Sequence, residues 1–175
     1  MSWEKISSKI LIKHPRIELH EDTIILPSGD KSDYIHFGEP NDAVTIIAVR
    51  DDGQVFVQKE YSYPPDEWLF QFPGGGVEGN ESPEEAAARE LAEEGSLGGE
   101  LTKIGSFLTN NRRSAQKMHT FVATNLYEQK AQKDIEEEFE DFWFQPKEVD
   151  NLIANGELCI SSALSAWALF RVGQL

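Results

Sequence analysis

Cysteine is almost absent from this chain: Cys159 is the only one in 175 residues. A lone thiol excludes an internal disulfide framework and any zinc site built on paired cysteines, and Cys159 reads as a small residue near a helix. Positive charge is scarce too. Sixteen Lys and Arg stand against 31 Asp and Glu, a formal charge of -15, so bulk nucleic acid and anionic membrane surfaces repel the chain. Neither is an expected partner, and a phosphate-bearing ligand has to arrive with something cationic. No apolar run approaches the ~20 residues of a membrane span. Met1-Ser2-Trp3-Glu4-Lys5 shows no basic stretch leading into an apolar one, so no secretory signal is read there and the cytoplasm is the expected compartment. Internal repeats and low-complexity linkers are missing as well.

A hydrophobic share of 39% suffices for a packed core, and the length fits one compact domain, or one with a small appendage. Residues 1–40 read as short strands and turns: Lys9-Ile10-Leu11-Ile12-Lys13, then Thr23-Ile24-Ile25-Leu26, then a Pro27-Ser28-Gly29-Asp30 turn. In the remaining region, 41–175, Val44-Thr45-Ile46-Ile47-Ala48-Val49 reads as a buried strand. Asp51-Asp52-Gly53 reads as a hairpin turn and Gln54-Val55-Phe56-Val57-Gln58 as the return. An aromatic loop, Tyr61 to Trp68, leads into a short strand over 69–72. The pattern then predicts a helix near 83–94, strands around 101–108, 118–124 and 139–144, and helices over 146–154 and 162–171. Strands on both sides of a central helix, with helices at the end, predict an α+β fold, an α/β/α sandwich accompanied by a small N-terminal antiparallel sheet.

Chemistry is concentrated in Phe72-Pro73-Gly74-Gly75-Gly76-Val77-Glu78-Gly79-Asn80-Glu81-Ser82, followed by the helix Pro83 to Gly95. Ser82 fits the N-cap, Pro83 the first helical position, and Glu85 completes a capping box. Glu84 and Glu85 complement the positive end of the helix dipole, and Gly95 is the expected C-terminal stop. Glu90, Glu93 and Glu94 project from one face, with Arg89 spaced to brace Glu85 and Glu93. Ala87, Ala88, Leu91 and Ala92 form the opposite face, small enough to lie close on a sheet. A bare run of glutamates is usually a solvated helix face. The glycine turn, the capped start and the bracing arginine argue instead for a built site. Oxygen ligands without nearby histidine or cysteine suit hard cations, Mg²⁺ first and Mn²⁺ second.

This segment resembles the Nudix hydrolase box, with Gly75, Glu81, Arg89, Glu90, Leu91, Glu93, Glu94 and Leu97 in register and Ser96 standing where the box has a glycine. The resemblance implies a Mg²⁺-dependent hydrolase, Mn²⁺ substituting, that splits a diphosphate by attack of water on phosphorus. It implies Glu90 and Glu94 as principal metal ligands, Glu93 in support, the Gly74 carbonyl as a further ligand, and Arg89 orienting the glutamates. Beyond the box, Asp42-Ala43-Val44, Tyr61-Ser62-Tyr63-Pro64 and Trp68 to Gly75 are similar to the ADP-ribose and nucleoside-diphosphate-sugar pyrophosphatases. Two positions depart from that group: an arginine common after the tyrosine is Ser62, and a frequent glutamate before Phe-Pro is Gln71. The group implies a nucleotide-sugar substrate and a homodimer, with residues 1–40 serving dimerisation and the substrate site. The alternatives are a (d)NTP or RNA 5′ pyrophosphohydrolase and a non-catalytic nucleotide-sugar sensor. The charge of -15 weighs against a long RNA, and the intact carboxylate set weighs against a sensor.

Other candidates carry two readings each. Tyr61, Tyr63 and Trp68 either stack a nucleobase or pack within their loop. Arg112-Arg113-Ser114 is either a phosphate contact or a solvated turn. His119 reads as a satisfied structural histidine. The acidic stretch 134–141 is either a charged strand edge or the source of a general base, for which Glu137 aligns best, then Glu136 and Glu138.

Overall fold

The computed structural model describes residues 3–131 and 139–173, which fall into two compact units. The smaller comprises Met1–Asn41 and Leu108–Gln116. Its sheet is antiparallel in the order β1 (Glu4–His14), β2 (Ile17–Ile25), β3 (Lys31–Phe37). The expected antiparallel sheet is therefore present, but its strands are longer than they read. β1 is exposed along its whole length, and Lys5, Ser7, Ser8 and Lys9 interrupt the apolar alternation that would announce an 11-residue strand. The turn at Arg112–Arg113 is tied to β3: Tyr34 Oη donates to the Arg112 carbonyl, the Phe37 amide to the Arg113 carbonyl at 2.7 Å, and Arg113 Nη1 to the Ile35 carbonyl at 2.9 Å. Those bonds draw a segment of the region 41–175 into the unit of the N-terminal sheet.

The larger unit holds Asp42–Phe107 and Lys117–Leu175. Two three-stranded sheets carry it. One has the order β4 (Ala43–Ala48), β8 (Lys117–Glu128), β7 (Leu97–Leu108), with β4 and β8 parallel. The other has the order β6 (Glu67–Gln71), β5 (Val55–Ser62), β9 (Phe139–Phe144). Three helices follow the sequence expectation closely: α1 (Pro83–Gly95), α2 (Pro146–Ala154) and α3 (Ser161–Val172). Every residue of β4 is buried, as a strand covered on both faces requires. Val44, Ile46 and Ala48 join Ala86, Ala87 and Leu91 of α1 in one core, while Ile47 joins Val149 of α2 and Ala163, Ala166 and Trp167 of α3 in the other. This period-two division of one strand between two helical layers is the α/β/α sandwich. Among the described residues, no helix is long and apolar enough to cross a membrane.

Three expectations need correction. The turn at Asp51-Asp52-Gly53 reverses the chain, closed by the Arg50 amide on the Gln54 carbonyl, but only one bridge, Val49 with Val55, joins its arms. The arms continue into different sheets, a choice set by distant partners that local turn chemistry does not encode. On α1, Ala88 is exposed and Ala86 is buried in its place. Finally, Gly95 does not stop the helix. The left-handed residue is Ser96, at φ 52° and ψ 33°, whereas Gly95 packs tightly on β5, where a Cβ would stand 3.0 Å from Phe56 Cε1 and crowd that ring. Ser96→Gly is expected to stabilise the fold by about 1 kcal/mol, relieving a non-glycine residue in the left-handed region. That corresponds to a thermal midpoint ~2–4 °C higher for a chain of this size, and an unchanged midpoint would refute the strain.

Candidate active site

The site begins with a helix start fixed by its own sequence. Ser82 Oγ accepts from the Glu85 amide at 3.2 Å, and Glu85 Oε2 accepts from the Ser82 amide at 2.7 Å. This capping box satisfies two amides that have no partner within the helix. It also occupies Glu85, which was expected to pair with Arg89. Upstream, the glycine turn is stitched onto the start of β4. The Ile46 amide donates to the Pro73 carbonyl at 2.8 Å, Val44 to Gly75 at 2.9 Å, and Val77 to Asp42 at 2.8 Å. The approach is too close for a side chain: a Cβ on Gly74 would fall 2.2 Å from the Val44 carbonyl oxygen.

That closeness brings the turn against α1. The Gly74 amide donates to Glu94 Oε2 at 3.1 Å, and a Cβ on Gly75 would fall 2.2 Å from Glu90 Oε1. Glu90 and Glu94 are only 8% and 4% exposed, so the carboxylate face is not the solvated surface that charge alone suggests. Glu93 is half-buried.

Arg89 spends its whole donor set here. Nε and Nη2 bind Glu81 at 3.2 and 2.8 Å, Nη1 binds Glu90 at 2.9 Å and Glu93 at 3.0 Å, and Nη2 also binds the Gly76 carbonyl at 2.8 Å. A guanidinium has five N–H bonds, and all five are assigned. These bonds, with Glu81 foremost, raise the Arg89 pKa, and the Arg89 bonds lower that of Glu81 below its ordinary 4.5. One guanidinium shared by three carboxylates neutralises a single charge. Glu81 is the residue whose role the sequence reading left unassigned, although a carboxylate eight residues before Arg89 was its signal.

Glu81 also sets an acid limit. A carboxyl whose folded pKa lies below its unfolded value adds stability that is complete above the unfolded pKa and is lost as pH falls through the folded one. Denaturation midpoints of the natural chain should therefore decline as pH drops below about 4.5, and Glu81→Gln should flatten that decline. Parallel curves for the two proteins would contradict the Glu81–Arg89 account.

The donor set suits a hard divalent cation. Two buried carboxylates four residues apart meet a glycine turn, with oxygen atoms throughout. Among the described residues, no three His, Cys, Asp or Glu converge into an all-protein cage. Mg²⁺ needs none, because one or two carboxylates hold it while water and phosphate oxygens complete its octahedron. Manganese accepts the same ligands.

The remaining candidates are distributed as follows. Tyr61 and Trp68 form a cross-strand pair at the β5–β6 hairpin, with ring centroids 6.1 Å apart, and Tyr61 Oη donates to Asp66 at 2.7 Å. Tyr63 is 83% exposed, which is incompatible with packing in its loop. Arg112, Arg113 and Ser114 lie in the smaller unit, and Ser114 Oγ accepts from the Gln116 amide at 3.0 Å. His119 Nε2 meets Asp42 Oδ2 at 2.8 Å, while its buried Nδ1 has no partner among the described residues. Glu136, Glu137 and Glu138 lie outside the described residues.

A model of the NUDIX domain matches residues 39–162, a span that includes the glycine turn, all of α1 and β4 to β9. The chain belongs to the Nudix family. Members of this family generally work with divalent metal ions. An ADP-ribose pyrophosphatase of Bacillus subtilis is 32% identical over 123 residues, 70% of this chain and 66% of the relative, so the match spans just under two thirds of that protein. An ADP-ribose pyrophosphatase of Mycobacterium tuberculosis is 28% identical over 170 residues, 93% of this chain and 80% of the relative. In three dimensions the chain is similar to a crystal structure of an ADP compounds hydrolase, with a TM-score of 0.91 over 99% of this chain and 96% of that one. The identity there is 22%, and the likeness establishes the Nudix fold.

Proposed function

We propose that this chain is a Mg²⁺-dependent Nudix hydrolase. It cleaves the diphosphate of ADP-ribose, or of a similar nucleoside diphosphate sugar, to a nucleoside monophosphate and a sugar phosphate. The observation that carries this is the pair of buried carboxylates, Glu90 and Glu94, turned onto the Gly74–Gly75 turn and framed by a saturated Arg89. Two relatives named ADP-ribose pyrophosphatase, matched over 70% and 93% of the chain, favour that substrate class.

Glu90 and Glu94 would hold the cation, with Glu93 and the Gly74 carbonyl in support. A cation bound there supplies Lewis acidity toward the diphosphate and a water of lowered pKa. Arg89 keeps Glu90 and Glu93 in place rather than reaching a phosphate, since a new bond would break one it already makes. The absence of side chains at Gly74 and Gly75 keeps the carboxylates close to the turn. Water adds to one phosphorus, the bridging oxygen leaves with the other phosphate, and a glutamate among Glu137, Glu136 and Glu138 takes the proton. The exposed rings of Tyr61, Trp68 and Tyr63 offer faces for the nucleobase, and Arg112 and Arg113 are candidate phosphate contacts.

A homodimer fits the smaller unit. β1 is an edge strand that exposes Ile6, Ile10, Leu11 and Ile12, and such an edge is usually covered. Lys5, Lys9 and Lys13 along it discourage indiscriminate pairing. The cytoplasm is the proposed compartment, in keeping with a single exposed, unpaired Cys159.

The test is a panel of ADP-ribose, ADP-glucose, GDP-mannose, UDP-glucose and deoxynucleoside triphosphates with Mg²⁺. ADP-ribose giving AMP and ribose 5-phosphate is expected to lead. A preference for triphosphates overturns the substrate class, and inactivity on the whole panel overturns the enzyme.

A further inference from the structure

Gln58 lies in β5, fully buried, opposite Gln71 of β6 and Asp141 of β9. A primary amide is costly to bury unless its groups find partners. Nε2 donates to the backbone carbonyl of Glu94 at 3.3 Å and to Asp141 Oδ1 at 3.2 Å. Both partners accept, so the amide has one workable orientation, because the flipped form would set its carbonyl against two oxygens. Oε1 is buried with no partner among the described residues.

The location of this bond gives it meaning. The last four carbonyls of a helix have no partner within the helix, and that of Glu94 is one of them. The last turn of α1 contains no Lys, Arg or His, so no cationic side chain of its own complements the negative end of the dipole. Gln58 supplies an N–H from the neighbouring sheet. It does so at the residue whose carboxylate meets the Gly74 amide, and the second N–H of the same amide holds β9.

We infer that Gln58 is a positioning residue: it locks the last turn of α1 to β9 and so sets where the Glu94 carboxylate stands for the cation. This rests on the metal-hydrolase reading above. A side chain of equal bulk without the amide removes both of these bonds, and the last turn of α1 is no longer tied to β9. The carboxylate moves with it, while groups that hold the nucleotide elsewhere stay put.

Two full-length variants test this, with Mn²⁺ binding followed by electron paramagnetic resonance and ADP-ribose turnover followed with Mg²⁺. Gln58→Met should weaken Mn²⁺ binding about 10-fold or more and lower kcat about 10- to 100-fold, with KM moving less than ~3-fold. Gln58→Glu should be as poor near about pH 8, where its side chain no longer donates two N–H bonds to the Glu94 carbonyl and Asp141. A Gln58→Met protein whose melting point falls while its Mn²⁺ affinity and kcat match the natural chain overturns the inference, since Gln58 then only supports the fold. If Gln58→Met does not fold, Gln58→Glu decides by the same Mn²⁺ titration at about pH 8, and an affinity equal to that of the natural chain overturns the inference. If the natural chain binds Mn²⁺ yet leaves the whole substrate panel intact, the hydrolase reading fails on its own. The Mn²⁺ titration still decides: weaker binding by Gln58→Met supports positioning and equal binding refutes it. A natural chain that binds no Mn²⁺ overturns both.

Discussion

Glu94→Gln is expected to reduce ADP-ribose turnover roughly 100-fold or more, beyond the ~10–100-fold typical of residues that merely support a metal ligand. The fold should survive. The amide retains an oxygen that can accept from Gly74 N–H where Glu94 Oε2 does now, and a neutral amide is cheaper to bury than a carboxylate. Far-UV circular dichroism and the melting point should therefore stay near those of the natural chain while kcat collapses. Glu93→Gln makes the contrast. That side chain is half-buried and bonded to Arg89, so its loss should fall within the supporting range. Near-normal turnover by Glu94→Gln would remove the ligand role from this residue.

The second large effect is steric. A methyl group on Gly75 would fall 2.2 Å from Glu90 Oε1. The obstacle is the end of a flexible side chain, so the backbone can stay in place while the carboxylate swings away. Gly75→Ala should thus lower kcat about 10- to 100-fold, like other losses of ligand orientation, with little change in the melting point. Gly76→Ala is the control, because nothing lies within 4 Å of a Cβ there, and its turnover should match the natural chain. Gly74→Ala should differ from both. Its Cβ meets the Val44 carbonyl at 2.2 Å, an obstacle of backbone, and stability should fall together with activity. Equal turnover for Gly75→Ala and Gly76→Ala would mean that the close approach to Glu90 has no part in the chemistry.

Legibility in the sequence followed the range of the physics. α1 could be read in detail because Ser82, Pro83 and Glu85 are local signals that act within one turn. α2 and α3 fell within a residue of their predicted limits for similar reasons. The sheets were harder. Asp51-Asp52-Gly53 encodes a reversal but not which sheet each arm joins, and β1 was hidden by the lysines and serines that suit an exposed edge. In the site, the residue types and spacing of Glu90, Glu93, Glu94 and Arg89 were visible, but the burial of Glu90 and Glu94 was not. It results from the glycine turn closing over the helix, a contact between segments about 20 residues apart in a packed α/β unit. Gln58 left a faint trace, a lone amide at the end of Val55-Phe56-Val57, whose meaning appears only when α1 and β9 are beside it. Gly95 and Ser96 exchanged roles because packing against Phe56 competes with the helix stop for the same small residue.

The central claim is that Glu90 and Glu94 carry a divalent cation that meets the diphosphate at the glycine turn. The most direct measurement is a crystal grown with Mn²⁺ and a non-hydrolysable ADP-ribose analogue, with data collected at the manganese edge. The account predicts an anomalous peak bonded to both carboxylates and to an oxygen of the analogue's diphosphate. An analogue bound with manganese elsewhere, and no peak at Glu90 and Glu94, would contradict it.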